Sequence, residues 1–238
     1  MGTKSSDLFI VIPTKDRHQY LREIFDNSGV DGKSIYCIRT SPGDLFEGVN
    51  NIFVSKDEIN IQKWWNLGIR AVIESGGRYV ALLSDDKFIK KGQLQNLLKL
   101  MLSTKAALVC GASSNGGKWG HAFILDLSTG IFPDERFKWF YGDDDLRLQA
   151  QKKGGFFQSN EEILHISPNQ LTSHDSNLKT LGHRDAQTFY KKYPTEGIKK
   201  LIQSLSPKLY LKLLRFSTRS KSVLSHFHSM YPKNFFIN

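Results

Sequence analysis

Two groups of carboxylates stand out among the residues whose type and spacing could do chemistry. Ser84-Asp85-Asp86 closes the clearest strand-like run of the chain, Tyr79–Ser84. Adjacent carboxylates are hard oxygen ligands of the kind that Mg²⁺ or Mn²⁺ takes. Such an ion bridges phosphate oxygens and neutralises charge on a leaving diphosphate. Aspartate is also common in solvated turns after strands, so this pair alone carries little weight. The second group is Gly142-Asp143-Asp144-Asp145-Leu146, preceded by Phe137-Lys138-Trp139-Phe140-Tyr141. A single acid would satisfy the dipole at a helix N-terminus. Three acids behind an aromatic wall suit a site in which a carboxylate serves as general base.

The elements that must position these groups alternate in type. Leu8–Ile12, Ser34–Arg39, Asn51–Val54, Tyr79–Ser84, Ala106–Cys110 and His121–Leu127 are short apolar runs that predict strands, and Phe156–Ile166 predicts a further strand or pair. Apolar residues recur at helical spacing over His18–Phe25, Ile61–Ile73, Leu94–Leu102 and Leu146–Lys153. This alternation predicts an α/β fold, a mostly parallel, Rossmann-like sheet wound on both faces by helices. In such sheets the ligand lies beyond the carboxyl ends of the strands, where Asp85 and Asp86 project. The glycine-containing loop Ser113–Lys118 lacks the Lys-Ser/Thr ending of a phosphate-cradling loop.

Composition sets the outer bounds. The chain has 238 residues, 39% hydrophobic and 12% aromatic, enough to bury a sizeable core and to exclude a mainly disordered state. Cys37 and Cys110 are the only cysteines, which excludes a disulfide scaffold and predicts reduced thiols in a cytoplasmic protein. No apolar run reaches the roughly 18 residues of a membrane span, and Met1–Asp7 is polar, unlike a signal peptide. The net charge of +10 is uneven. Residues 191–238 hold ten Lys/Arg against Glu196 alone, while residues 1–190 hold 23 basic and 22 acidic residues. We therefore expect a nearly neutral domain over residues 1–190 and a basic helical extension over residues 191–238 with an anionic partner.

Four motifs in order resemble one known family. Pro13-Thr14-Lys15-Asp16-Arg17 with Tyr20-Leu21 resembles the opening strand and helix of inverting family 2 glycosyltransferases. Trp65-Asn66-Leu67-Gly68-Ile69 is similar to their Asn-x-Gly helix, and Tyr79–Asp86 to the strand that ends in their D-x-D-type motif. Phe132–Phe137 with Gly142–Leu146 resembles their acceptor-side segment and Glu-Asp-x-Asp-Leu motif. The resemblance spans residues 8 to about 175. It implies a GT-A fold, a nucleotide-sugar donor (a UDP-sugar first among them), Mn²⁺ or Mg²⁺, and single displacement with inversion. By position it makes Asp86 the direct metal ligand, with Asp85 beside it near the ribose or metal. Asp143 falls at the general base, with Asp144 its close rival. Thr14, Asp16 and Arg17 fall where the family binds the nucleotide, and Asn66 where it lines the pocket. The family often adds a His as third metal ligand, for which His174 is favoured over His165 because of its polar neighbours. The chain departs from the pattern at Ser84, at Trp64-Trp65-Asn66 and at Ile38–Asp44, where the usual acid after strand two is missing.

The aromatics and the basic extension bear on the acceptor. At least two of Trp64, Trp65, Trp119 and Trp139 are expected in the core, with Trp139 the one placed to meet an acceptor sugar. Ile198, Leu201, Ile202, Leu205, Leu209, Leu213 and Phe216 recur at helical spacing among lysines and arginine, interrupted by Pro207. Such a segment could pack on the domain, or lie on an anionic membrane surface that carries a lipid-linked glycan acceptor. The membrane reading leads, and the close second is that the segment holds DNA while a hydroxylated base is glycosylated. A non-catalytic nucleic-acid-binding module is the remaining alternative, and it leaves both acidic clusters without a purpose.

Overall fold

Burial on both faces is what turns the short apolar runs into the middle of a sheet. In the computed structural model, residues 7–14, 18–40, 45–55, 58–113, 122–165 and 176–194 are described. Strand β1 (Leu8–Thr14) sends Leu8, Ile10 and Ile12 to one side and Val11 to the other, all of them buried. The other strands are β2 (Ile35–Arg39), β3 (Asn50–Phe53), β4 (Tyr79–Leu82), β5 (Lys87–Phe88), β6 (Leu108–Ser113), β7 (Phe123–Asp126) and β8 (Phe156–His165). The helices are α1 (His18–Ser28), α2 (Ile61–Glu74), α3 (Gln93–Thr104), α4 (Gly142–Lys153) and α5 (Ser176–Lys192). The sheet runs β3-β2-β1-β4-β7-β6-β8-β5. Its β3-β2-β1-β4 half is parallel throughout, and β6 pairs parallel with β8. Strand β7 runs against both β4 and β6, and β5 against β8.

Helices cover both faces. Leu21 and Ile24 of α1 join Leu94, Leu97, Leu98 and Met101 of α3 on one side. Trp64, Trp65, Ile69 and Val72 of α2 join Leu146 and Ala150 of α4 on the other. Each buried Leu, Ile, Val and Met among them contributes on the order of 1.5–3 kcal/mol of transfer free energy. Helix α2 is capped by Asn60, whose side chain accepts the Lys63 N–H at 3.1 Å. Gly68 lets α2 lie directly on β1, because a Cβ there would collide with the Val11 side chain. The expected wound sheet is present, and Trp64 and Trp65 are core residues as expected. Three details differ from the sequence reading. Helix α4 starts at Gly142 and takes the acidic run into its first turn, where the dipole favours it. The two-residue β5 is too short to leave an apolar run. Helix α5 was not among the helices read from the sequence, although Leu178, Leu181, Phe189 and Tyr190 recur along it at helical spacing.

The chain divides into two units after Thr188. Among the described residues of the second, the Phe189 ring lies 5.2 Å from that of Tyr193. The site described below belongs to the first. Cys37 and Cys110 are buried free thiols, and burial pushes the Cys37 thiol up to about 12.

Candidate active site

The carboxyl ends of β1 and β4 lie side by side, with Val11 in register with Leu82. That pairing brings together residues 71 apart in the chain: the Thr14 hydroxyl donates to Asp85 Oδ2 at 3.1 Å. Thr14 is itself buried, so its hydroxyl holds the Asp85 carboxylate in place. The neighbouring Asp86 accepts from the Ser84 hydroxyl at 2.6 Å. Its Oδ1 also lies 3.1 Å from the Lys87 ammonium, whose side chain is 5% exposed. A buried ammonium on a half-buried carboxylate is a charge-assisted contact of substance. Lys87 was not singled out in the sequence, and its position directly after Asp86 was the signal available.

The donor set tests whether a divalent ion fits. Asp85 and Asp86 are adjacent half-buried carboxylates in the crevice where open α/β sheets bind ligands. Among the described residues no cluster of three or more His, Cys, Asp or Glu is arranged to hold a metal. Mg²⁺-type sites commonly use one or two carboxylates and complete their shell with substrate phosphates and water. The pair therefore fits an ion that arrives with a phosphate-bearing ligand. The pairing of β5 with β8 sets the backbone of His165 opposite Lys87, one residue from Asp86. Asp16, Arg17 and His174 lie outside the described residues.

Beside this crevice, Arg39 ends β2 in register with Thr14. Its guanidinium is fully buried, 4.9 Å from the centre of the Phe46 ring and 5.6 Å from that of Phe53. An arginine packed on two rings thus stands at the edge where the family that the sequence resembles usually carries an acid.

The second acidic group sits in the first turn of α4. Asp145 is fully buried and accepts Gln149 Nε2 at 2.7 Å, a contact within the helix that holds it in place. Asp144 is 7% exposed, whereas Asp143 is half-buried and is the most open of the three. The preceding Tyr141 adopts φ 63°, a left-handed conformation that is costly for a residue with a Cβ. The segment before it is fastened to α2. Asn66 Nδ2 donates to Pro133 O at 2.8 Å and to Glu135 Oε1 at 3.0 Å, and Arg70 pairs with Glu135 at 3.2 Å. Ile61 N–H donates to Lys138 O at 2.8 Å. Asn66, expected to line the ligand pocket, thus holds the 133–135 segment with its amide. Trp139 packs against the core cluster of α2 and α4, while Phe140 exposes 38% of its surface. The more open aromatic face next to the acidic run is therefore Phe140, not Trp139.

No family model and no curated protein matches the chain. Solved structures do. S. aureus TarS 1-349 matches with a TM-score of 0.52 at 9% identity, over 85% of this chain and 76% of that one. The same fragment in complex with UDP gives the same values. In complex with UDP-GlcNAc it gives a TM-score of 0.50 at 10% identity, over 85% and 77% of the two chains. At these identities the likeness establishes the fold: a GT-A-like α/β architecture around an eight-stranded sheet.

Proposed function

We propose that this chain is a glycosyltransferase that moves a sugar from a nucleoside-diphosphate donor, a UDP-sugar first among them, to an acceptor hydroxyl with inversion. The observation that carries the reading is the Thr14–Asp85 hydrogen bond, which joins two motifs distant in sequence at one crevice beside Asp86. TarS, which shares the fold, was crystallised with UDP and with UDP-GlcNAc, and this supports the same donor class here.

Asp86, with Asp85 beside it, would hold Mn²⁺ or Mg²⁺, and His165 or His174 competes for a third position. When bound, the ion supplies charge neutralisation at the leaving diphosphate. Thr14 keeps Asp85 oriented towards the donor. Lys87 offsets part of the negative charge on Asp86, so the site is less electronegative before the donor arrives. Asp143 takes the proton of the acceptor hydroxyl as its oxygen bonds to the anomeric carbon. The bond from that carbon to the diphosphate oxygen breaks on the opposite face, and the configuration inverts. Asp144, more buried, is the alternative base. Nucleotide contacts from Asp16 and Arg17 follow from the family resemblance.

For the acceptor, a glycan of the cell surface held on an anionic membrane leads. Transfer to a hydroxylated base in DNA is the second reading, and the ten basic residues of 191–238 favour an anionic partner in either case. Among the described residues no helix is long and apolar enough to cross a membrane. Purified protein should release UDP from at least one UDP-sugar in the presence of Mn²⁺ or Mg²⁺. A panel of UDP-, GDP- and dTDP-sugars left both unbound and intact would contradict the proposal.

A further inference from the structure

The turn that leads into the acidic run is held by a carboxylate from a different helix. Asp185, in α5, is 1% exposed. Its Oδ1 accepts the Lys138 N–H at 2.9 Å, and its Oδ2 accepts the N–H groups of Trp139 and Phe140, each at 2.8 Å. Three successive backbone donors on one buried carboxylate are charge-assisted bonds, and they compensate the burial of the charge. Gly182, three residues earlier on α5, seats the Phe140 ring, which a Cβ there would approach to 3.2 Å. From the other side α2 holds the Lys138 carbonyl through Ile61 N–H.

What this clamp restrains is the residue after it. Tyr141 carries the left-handed φ of 63° and is followed at once by Gly142, where α4 begins. A non-glycine residue stays in that conformation only where its surroundings over-determine it. The N-cap residue Tyr141 makes no side-chain capping hydrogen bond, so the segment before it helps to set the direction of the first turn of α4. Gly142 itself packs against the carboxamide of the buried Gln62, where a Cβ would collide, which leaves the turn little room to shift.

We propose that Asp185 is a positioning residue for the transfer reaction: it gathers the Lys138–Phe140 amides, fixes the kink at Tyr141 and so sets where Asp143 points. This rests on Asp143 being the base. Asp185 is 1% exposed and its carboxylate is taken up by the three amides, so its loss should misplace the base without disturbing the nucleotide site. Asp185→Asn keeps the shape but replaces one accepting oxygen with an NH₂ group, which faces amides that also donate.

The test uses the full chain with UDP and UDP-GlcNAc as probes in Mn²⁺. In Asp185→Asn we expect amide exchange over residues 138–145 to quicken by at least about tenfold. The affinity for UDP should stay within about twofold, while UDP release from UDP-GlcNAc falls by about ten- to a hundredfold, the effect of a base displaced by about an ångström. Unchanged exchange over that segment would overturn the proposal. So would a loss of UDP affinity that matches the loss of turnover, since that would be general damage. If the variant does not fold, the native chain still decides. The Lys138, Trp139 and Phe140 amides should then exchange as slowly as those inside α4, and rapid loop-like exchange would overturn the clamp. A native chain that binds no UDP would contradict the proposed function, and the exchange comparison would judge Asp185 separately.

Discussion

Asp143 and Asp144 are neighbours of identical chemistry that the fold treats differently. Asp143 is half-buried in the first turn of α4, while Asp144 retains 7% exposure. A base must reach a substrate hydroxyl, so Asp143→Asn should lower turnover by about 10²–10⁴-fold with nucleotide binding intact. Asp144→Asn should cost far less, and steady-state kinetics on the two variants separates them. Equal losses in both would leave the assignment without support. At this scale the sequence shows residue types but not their contacts. The two carboxylate groups were legible because they follow a strand and an aromatic run. The Thr14–Asp85 bond was not, because it depends on the pairing of β1 with β4. Nor could it be read that Asn66 spends its amide on Pro133 and Glu135, or that Asp185 collects three amides. These contacts span 45 or more residues, and no local pattern marks them.

The elements were more readable, because hydrophobic period is local. Strands β1, β2 and β4 and helices α2 and α3 appear close to where their apolar residues predicted them. The antiparallel placement of β7 was not readable, since strand direction depends on how the chain crosses the sheet. Two contacts between elements can be tested. Gly68 brings α2 onto β1, and a methyl group there meets the stiff, branched Val11 in the middle of the sheet. Gly68→Ala should therefore destabilise by about 1–3 kcal/mol, the cost of overpacking, although alanine favours the helix. Denaturant unfolding measures it. At the opposite ends of the strands, Asp126 of β7 accepts Arg78 Nη2 at 2.9 Å and the Ser128 hydroxyl at 2.6 Å. Burial raises the Asp126 pKa, but these bonds outweigh it and hold the carboxyl below its ordinary value. A depressed folded-state pKa adds stability above the unfolded value, and this is lost as pH falls through the folded one. Asp126→Asn should thus cost about 1–2 kcal/mol at pH 7, with the gap closing as pH drops below about 4. Chemical denaturation at a series of pH values checks the sign, and a gap that widens in acid would contradict it.

For the whole molecule, charge distribution speaks to partners and the sheet to ligand class. The excess of lysine and arginine over residues 191–238 was legible by counting, and most of that segment lies outside the described residues. Incubation of the protein separately with duplex DNA and with anionic liposomes should show sedimentation with the liposomes, consistent with a membrane-held acceptor. Binding to DNA alone would move hydroxylated DNA to first place. The proposed donor site is narrower: a nucleoside diphosphate would bind in the crevice at the ends of β1 and β4 together with a divalent ion at Asp86. Calorimetry of UDP binding with and without Mn²⁺, on the native chain and on Asp86→Ala, tests it most directly. Saturable binding that depends on Mn²⁺ is expected in the native protein, and its disappearance is expected in Asp86→Ala while the fold persists. UDP binding of equal strength with and without Mn²⁺, or unchanged by Asp86→Ala, would contradict it.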